Sequence, residues 1–349
     1  MDSIMIGDRS VGPHSPAYIV AEMSANHNND FEQAEELIRL AKECGADAVK
    51  LQTYKPSTLT IKSTKGPFII SGGTKWDGRT LFDLYEEGCM PWEWQPRLKK
   101  TADDIGIDLF STAYDKSSVE FLDRMGVDVH KVASFEIVDL QLIEKMAETG
   151  KPLLISTGMA SKKEISEAVS CAGKAGAEEI ALLKCTSAYP SPVEETNLRT
   201  IPDMRRSFGL PVGLSDHTMG IHVPSAAVAL GACIVEKHMT TSRKLKGPDS
   251  HFSLEPKEFK RMVEGVRTAE ASLGKVSYGP TEAEKNSLAF RRSLFVVRNV
   301  KAGERFTETN VRSIRPGTGL APGHLSDVLR RKASRDIERG TPLDWSMVD

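Results

Sequence analysis

The sequence lacks the features that mark secreted, membrane-embedded and disulfide-rich proteins. Its first ten residues, MDSIMIGDRS, contain no basic segment followed by an apolar one, and no stretch approaches 18 uninterrupted apolar residues. The 349 residues include only five cysteines, which are scattered and lack the C-x-x-C spacing of zinc or redox sites. An odd, scattered set also argues against a disulfide framework. We therefore expect a cytoplasmic protein that does not associate with a membrane.

A strong net charge is also missing, because 46 Lys and Arg nearly balance 48 Asp and Glu. The charges are unevenly distributed: residues 286–349 hold 12 basic residues, ten of them arginine, against 7 acidic ones. This segment has neither an unbroken basic run nor the interleaved aromatic residues that are typical of nucleic-acid binding. We therefore expect no nucleic-acid partner, and instead a small arginine-rich module that helps an active site to hold anions.

Short β-branched segments alternate with amphipathic helical ones over most of the chain. The segment DFEQAEELIRLAKECG, for example, has an Asp30 cap and a Gly45 stop. Eight apolar segments are predicted to be strands: 17–24, 48–53, 108–114, 129–134, 152–158, 180–187, 211–218 and 233–240. Eight such strands, each followed by a helix, predict a closed (β/α)8 TIM barrel. An open doubly wound sheet is the alternative, but no G-x-G-x-x-G follows the first strand.

The helical pattern ends near Gly274, and short strand-like segments broken by Gly and Pro follow it. We expect two domains, a TIM-barrel catalytic domain over residues 1–280 and a small β-rich C-terminal domain over residues 281–349. A long insertion, residues 55–94, follows the second strand. Loops of this length in a compact domain usually have a function.

Polar residues recur two positions apart where the predicted strands end. Side chains two apart on a strand share a face, and TIM-barrel enzymes carry their active sites at the C-terminal ends of the strands. Five of the eight strands end in such pairs: Glu22 and Ser24, Lys50 and Gln52, Ser134 and Glu136, Ser215 and His217, and Glu236 and His238. We interpret this set as a catalytic pocket.

Two of these residues, His217 and His238, end neighbouring strands and can reach one metal ion, whose other positions stay open to substrate or water. Asp216, Glu236 and Asp249 are candidate third ligands or partners of the ligands. Imidazole with oxygen ligands suits manganese, cobalt, zinc or iron, so the residues alone do not identify the metal. The alternative is that His217 acts as a general base without a metal.

Lysines and hydroxyl groups at the same strand ends form a candidate anion site. The ammonium groups come from Lys50 and Lys131, and the hydroxyl groups come from Thr112, Ser134, Ser156 and Ser215. This combination predicts a small dianionic substrate that carries a phosphate or a carboxylate.

At these residues the chain resembles the sialic acid synthase family, and within it most closely the pseudaminic acid synthases. The resemblance runs from about residue 18 to residue 348 and rests on AEMSANHN, VKLQT, HKVASFE, LLISTGM, KCTSAYPSP, GLSDHT, EKHMT, KGPDSHFS and IRPGTG in one order. It implies a (β/α)8 barrel followed by an antifreeze-like (SAF) domain, in a domain-swapped homodimer. It also implies that phosphoenolpyruvate condenses with an N-acetylated amino sugar, giving a nine-carbon keto acid and phosphate.

The resemblance implies a role for each matched residue. The metal ligands are His217 and His238, with Mn²⁺ typical and Mg²⁺ or Co²⁺ as alternatives. Phosphoenolpyruvate is held by Lys50, Thr112, Lys131, Ser134, Ser156 and Ser215. The sugar is contacted by Glu22, Gln52, Glu136, Tyr189, Asp249 and, from the opposite subunit, Arg315. The chemistry of this reaction further predicts Glu22, Lys50, Lys131 and His217 as the catalytic residues.

Two features separate the chain from the N-acetylneuraminate synthases, namely Ser187, where those enzymes carry Asn, and the insertion after the second strand. Both favour 2,4-diacetamido-2,4,6-trideoxy-L-altrose over N-acetylmannosamine as the acceptor. Synthesis of legionaminic acid or N-acetylneuraminate is the alternative. Condensation with a phosphorylated aldose, and a non-enzymatic carbohydrate-binding or ice-binding protein, are more remote alternatives.

Overall fold

The computed structural model describes residues 2–245 and 247–349. Lys246, the first residue of the KGPDSHFS segment, therefore lies outside the described residues, as does Met1. The chain divides into two compact units, Met1–Gly274 and Lys275–Asp349. This division lies a few residues before the domain boundary expected from the sequence. In the described part of the chain, no helix has the length and apolar character needed to cross a membrane.

The first unit begins with a hairpin that the sequence analysis did not identify. Its antiparallel strands are β1 (Ile4–Ile6) and β2 (Arg9–Val11), whose residues Ile4, Ile6 and Val11 are buried. In β1 the exposed Met5 lies between buried Ile4 and Ile6, which is the pattern of a strand with one buried face.

Eight parallel strands then close into a barrel in sequence order. They are β3 (Tyr18–Glu22), β4 (Ala48–Thr53), β5 (Asp108–Ala113), β6 (His130–Val132), β7 (Leu153–Ser156), β8 (Ile180–Cys185), β9 (Val212–Asp216) and β10 (Ile234–His238). Each strand lies within one of the eight predicted segments, so the predicted TIM barrel is confirmed.

A helix follows each barrel strand. These helices are α1 (Phe31–Glu43), α4 (Gln95–Ile105), α5 (Lys116–Met125), α6 (Leu140–Ala147), α7 (Lys162–Lys174), α8 (Thr200–Phe208), α9 (His222–Ala229) and α10 (Pro256–Leu273). Helix α1 begins as predicted, because the Asp30 carboxylate accepts a hydrogen bond from Gln33 N at 3.0 Å. In α7, Ser161 and Glu164 form a capping box.

The insertion after β4 contains two further helices, α2 (Pro56–Leu59) and α3 (Leu81–Gly88), and a 3₁₀ turn at Gly66–Phe68. Between the turn and α3 the chain folds back on itself, since Ile70 N donates to Arg79 O at 2.8 Å and Gly78 N donates to Ile70 O at 2.9 Å. The Asp77 carboxylate closes the tip of this loop by accepting from Gly73 N at 2.7 Å and Thr74 N at 2.9 Å. The insertion is therefore an ordered segment with its own hydrogen bonds.

The second unit has its own apolar core but little regular secondary structure. Strands β11 (Ser293–Val296) and β12 (Val311–Ile314) pair in antiparallel fashion, and α11 (Leu325–Val328) is a single turn. Isolated bridges such as Val300 to Ile337 and Ala333 to Val348 continue the β structure. The buried residues include Leu294, Val296, Phe306, Val311 and Leu343.

Candidate active site

A cavity of about 800 Å³ opens at the C-terminal ends of the barrel strands. Its lining includes twelve of the fourteen predicted site residues: Glu22, Lys50, Gln52, Lys131, Ser134, Glu136, Ser156, Tyr189, Ser215, His217, His238 and Asp249. Thr112 lies just behind them, where its hydroxyl accepts a hydrogen bond from Lys50 Nζ at 3.0 Å. Arg315 belongs to the second unit and directly follows β12.

The strand register brings Lys50 between two buried carboxylates. Glu22 is the neighbour of Lys50 across β3 and β4, and Lys50 Nζ lies 2.7 Å from Glu22 Oε2. The same ammonium lies 3.7 Å from Glu236 Oε1, which also accepts a hydrogen bond from Ser215 Oγ at 3.1 Å. All of these side chains are buried, so this cluster holds two carboxyl groups around one ammonium group away from bulk water.

This environment shifts the two carboxylates in opposite directions. Burial raises the pKa of Glu22 to about 7, although the Lys50 ammonium opposes the shift. Burial also acts on Glu236, but there the nearby charges of Lys50, Lys131 and His217, with the hydrogen bond from Ser215, outweigh it and the pKa is lowered. Two carboxyl groups whose pKa values diverge can divide between an acid and a base role. Glu22 is therefore the group that can hold a proton near neutral pH.

Lys131 forms a second cationic position at the ends of β6 and β7. Its Nζ donates to Ser156 Oγ at 2.6 Å and to Val132 O at 2.8 Å, and burial lowers its pKa. Ser134 Oγ, beside it, accepts a hydrogen bond from Gly158 N at 3.1 Å. Gly158 has to be glycine, because a Cβ at this position would collide with the hydroxyl groups of Ser134 and Ser187.

The two histidines lie side by side, with ring centroids 5.2 Å apart. His217 Nδ1 lies 3.1 Å from Thr186 O, and since a carbonyl can only accept, Nδ1 donates to it. Nε2 of the same ring has no hydrogen-bond partner among the described residues. Nδ1 of His238 is buried and has no hydrogen-bond partner among the described residues. Burial and the neighbouring His217 lower the pKa of His238 well below its usual value, which favours the neutral, metal-binding form.

These histidines fit a metal ion that completes its coordination with substrate and water. A backbone carbonyl that fixes the ring of one ligand and an unpartnered ring nitrogen on the other are features of imidazole ligand sets. Within residues 2–245 and 247–349, no group of three His, Cys, Asp or Glu side chains is placed to hold a metal. Two imidazole ligands, His217 and His238, would leave the other coordination positions of the metal open.

The carboxylates suggested as third ligands are engaged elsewhere. Asp216 binds Lys237 Nζ at 2.5 Å, behind the strands that face the cavity, so the structure does not support it as a ligand. Glu236 is held by Ser215 and Lys50, and Asp249 accepts a hydrogen bond from Ser24. The side chain of Gln52 joins this last group, because its Nε2 donates to Ser24 Oγ at 2.8 Å and to Glu22 Oε1 at 2.9 Å.

Part of the wall was not found by sequence reasoning. Tyr54, Tyr85 and Tyr114 form an aromatic group, with centroids 6.0 Å apart for Tyr54 and Tyr85 and 5.4 Å for Tyr54 and Tyr114. Tyr54 and Tyr114 directly follow β4 and β5, so their position at strand ends was the available signal. The insertion after β4 adds Leu59, Ile70, Gly73, Thr74, Trp76, Leu81, Leu84, Tyr85 and Gly88 to the lining.

Aromatic rings also lie against the two histidines. Tyr189 lies against His217 with ring centroids 4.4 Å apart, and Phe252 lies against His238 at 4.9 Å. Trp76 of the insertion lies 6.3 Å from Tyr189. Ser187 lines the cavity beside Cys185, with Oγ 3.6 Å from Sγ. The cavity thus has a charged floor beneath walls of aromatic and small polar side chains.

Comparisons with known proteins agree with this geometry. The NeuB family matches residues 37–278, and the SAF domain matches residues 291–349. Pseudaminic acid synthase of Helicobacter pylori is 42% identical over 336 residues, which cover 96% of this chain and 98% of the relative. N,N'-diacetyllegionaminic acid synthase of Legionella pneumophila is 35% identical and covers 98% of each chain.

A solved structure shares the fold. The crystal structure of N-acetylneuraminic acid (sialic acid) synthetase from Leptospira borgpetersenii, in complex with citrate, matches with a TM-score of 0.73 at 30% identity. The match covers 82% of this chain and 95% of that chain. These findings confirm the resemblance to the sialic acid synthases, and the chain belongs to the NeuB family.

Proposed function

We propose that the chain is a pseudaminic acid synthase, a transferase that condenses phosphoenolpyruvate with 2,4-diacetamido-2,4,6-trideoxy-L-altrose to give pseudaminic acid and phosphate. The observation that carries this proposal is a single cavity in which two buried lysines and several hydroxyl groups lie beside a pair of histidines. The relatives named pseudaminic acid synthase, at 42% identity, support the choice of product over legionaminic acid, whose named synthase is 35% identical.

Phosphoenolpyruvate would bind to the charged floor of the cavity. Lys50 and Lys131 supply the positive charge, and the hydroxyl groups of Thr112, Ser134, Ser156 and Ser215 supply neutral hydrogen bonds. Because these ammonium groups are buried, their attraction to a phosphate or carboxylate is stronger than it is in water. They would also stabilise the charge on the phosphate as it leaves.

The reaction forms one C–C bond and breaks one C–O bond. C3 of phosphoenolpyruvate attacks the aldehyde carbon of the open-chain sugar, and positive charge develops at C2. Water adds to C2, and the resulting hemiketal phosphate releases phosphate by cleavage of its C–O bond. Glu22, whose pKa is about 7, is placed to donate a proton to the new alkoxide or to accept one from the attacking water, or else only binds the sugar.

A divalent metal held by His217 and His238, Mn²⁺ in this proposal and Mg²⁺ or Co²⁺ as alternatives, would act as a Lewis acid towards the aldehyde. The sugar would lie against the aromatic walls and contact Gln52, Glu136, Tyr189 and Asp249. Glu136 has a buried oxygen with no partner among the described residues, and burial raises its pKa to about 7. It can therefore either donate to the sugar or accept from it.

Acceptor choice tests the proposal. Ser187 and the insertion are expected to suit a sugar with a second acetamido group, and each group left unpaired by a poorer sugar costs about 1–3 kcal/mol. We expect kcat/KM for the trideoxy diacetamido altrose to exceed that for N-acetylmannosamine by about 10-fold or more. The measurement is phosphate release with phosphoenolpyruvate and a panel of acetylated and phosphorylated sugars. Preference for the legionaminic precursor or for N-acetylmannosamine would reassign the product within the family.

We also propose that the enzyme works in the cytoplasm as a domain-swapped homodimer in which Arg315 serves the opposite subunit. The five free cysteines support a reducing compartment. The resemblance to the family supports the exchange of C-terminal domains. Mixing inactive His217→Ala and Arg315→Ala chains should then restore about a quarter of wild-type activity per chain after random reassembly. If activity does not recover although subunit exchange is verified, Arg315 acts within its own chain.

A further inference from the structure

A buried ion pair lies directly behind the two histidines. Lys237 Nζ is 2.5 Å from Asp216 Oδ2, and both side chains are only 1% exposed. Asp216 and Lys237 are cross-strand neighbours in β9 and β10. Because successive strand residues point to opposite faces, this pair lies on the far side of the strands from Ser215 and Glu236, which face the cavity.

Thr218 ties the pair to the backbone beside His217. Lys237 Nζ donates to Thr218 O at 2.5 Å, and Asp216 accepts from Thr218 N at 3.0 Å and from Thr218 Oγ1 at 3.1 Å. We name Asp216, Thr218 and Lys237 the rear clamp. Its members flank His217 on both sides and immediately precede His238 along the chain.

The rear clamp holds the backbone next to His217 on the side that faces β10. On its other side, His217 is already held by the segment after β8, since Ser191 N donates to His217 O at 2.9 Å and Thr186 O accepts from the ring. The clamp therefore completes the fixation of His217 and links it to the strand that carries His238. A buried ion pair is weak evidence for stability, so its position behind the ligands calls for another role.

We propose that Asp216 and Lys237 are positioning residues, which hold His217 and His238 at the separation that one shared metal ion requires. The inference rests on the metal site of the proposed function. Groups that orient metal ligands typically account for a 10- to 100-fold difference in metal affinity. The rear clamp holds the two histidines through the backbone of β9 and β10, without contact with metal or substrate.

The test measures Mn²⁺ binding directly. Wild type, Asp216→Asn and Lys237→Met are titrated with Mn²⁺ in the absence of substrate, and free Mn²⁺ is followed by electron paramagnetic resonance. We expect each variant to bind Mn²⁺ about 10- to 100-fold more weakly. High Mn²⁺ should rescue turnover, because the histidines are still present, while KM for phosphoenolpyruvate stays close to the wild-type value. The visible spectrum of bound Co²⁺ should also change with the altered ligand geometry.

A second variant separates positioning from folding. Removing one member of a buried pair is strongly destabilising, whereas replacing both by apolar residues of similar volume is often neutral. The double variant Asp216→Leu, Lys237→Met is therefore expected to fold, and to bind Mn²⁺ about 10-fold more weakly because its contacts with Thr218 are lost. This double variant tests the positioning role even if the single variants do not fold.

Thr53→Val is the matched control. Thr53 Oγ1 donates to Gln95 Oε1 at 2.7 Å and lies 2.6 Å from Ser111 Oγ, so it is an equally buried polar link between neighbouring strands, β4 and β5. This variant should lose stability but keep its Mn²⁺ affinity. If the folded clamp variants bind Mn²⁺ as tightly as wild type, the positioning role of the rear clamp is wrong and the proposed metal site stands. Failure of wild type to bind Mn²⁺ would overturn both the clamp and the proposed metal site.

Discussion

At the N-terminal end of the barrel, Asp47 accepts hydrogen bonds from Ile19 N at 2.8 Å and from Arg267 Nη2 at 3.1 Å, and it also binds Arg9. Tyr18, next to Ile19, donates to Asp108 at 2.7 Å. At the C-terminal end, by contrast, Glu136 Oε2, Glu236 Oε2 and His238 Nδ1 are buried with no hydrogen-bond partner among the described residues.

Each buried polar atom left unpaired costs about 1–3 kcal/mol, so a chain does not retain such atoms for stability. Asp47, Tyr18 and Asp108 at the N-terminal end are satisfied within the protein. The three unpaired atoms at the C-terminal end are placed to pair with a ligand that enters the cavity. The contrast assigns stability to one end and ligand binding to the other, and it can be tested from both sides.

The largest effect is expected from removing a histidine at the C-terminal end. In His217→Ala or His238→Ala we expect turnover to fall about 10³-fold or more, since Lewis-acid catalysis supplies several kcal/mol of transition-state stabilisation. Thermal unfolding should change little, because both side chains face the cavity. The assay is phosphate release, and wild type in chelator should show the same loss. Full activity in chelator, with no bound metal by elemental analysis, would contradict the assignment.

Much of this contrast could be predicted from the sequence. The barrel could be predicted because each strand is a short apolar segment followed by a helical pattern. The residues that face the cavity could be predicted because side chains two apart on a strand share a face, as Ser215 and His217 do. The same rule places Asp216 behind the strands, so its position favours the second of its two suggested roles, a partner of the ligands, over that of a third ligand.

The pairing at the N-terminal end could not be predicted. Asp47 precedes β4 and resembles any solvated loop carboxylate, while its partner Arg267 lies 220 positions later in α10. Nothing local in the sequence reveals such a contact, because it depends on how the closed barrel aligns its first and last elements. The β1–β2 hairpin was missed for a similar reason, since three-residue strands are too short to show a period.

His130, at the start of β6, is an exception that sharpens the comparison. Both ring nitrogens are buried without a partner among the described residues, yet it does not face the cavity; Lys151 and Asp123 are its charged neighbours. Burial lowers its pKa from 6.5 to about 4, so between these pH values the unfolded chain binds a proton that the folded chain does not. Stability is therefore lost as pH falls from about 6.5 towards 4, by about 3 kcal/mol.

Replacing this histidine should remove that share of the acid sensitivity. We expect His130→Leu to match or exceed wild type at pH 7 and to gain about 3 kcal/mol on it by pH 4, with unchanged turnover. The measurement is urea unfolding across this pH range. A parallel pH dependence in the two proteins would show that His130 does not titrate in this way, and a loss of turnover would give an unpaired group outside the cavity a role in catalysis.

The smallest effect is expected from the paired end. Asp47→Ala leaves Ile19 N and Nη2 of Arg267 without the acceptor they share, which costs about 1–3 kcal/mol in the free energy of unfolding. Because Asp47 lies at the opposite end of the barrel from the cavity, kcat, KM and Mn²⁺ affinity should stay at wild-type values. Asp104→Ala is the control, since its ion pair with Lys100 is solvent-exposed and its loss should barely change stability. A fall in kcat for Asp47→Ala without a fall in stability would mean that the two ends do not divide their roles in this way, and that charge at the N-terminal end reaches the chemistry through the strands.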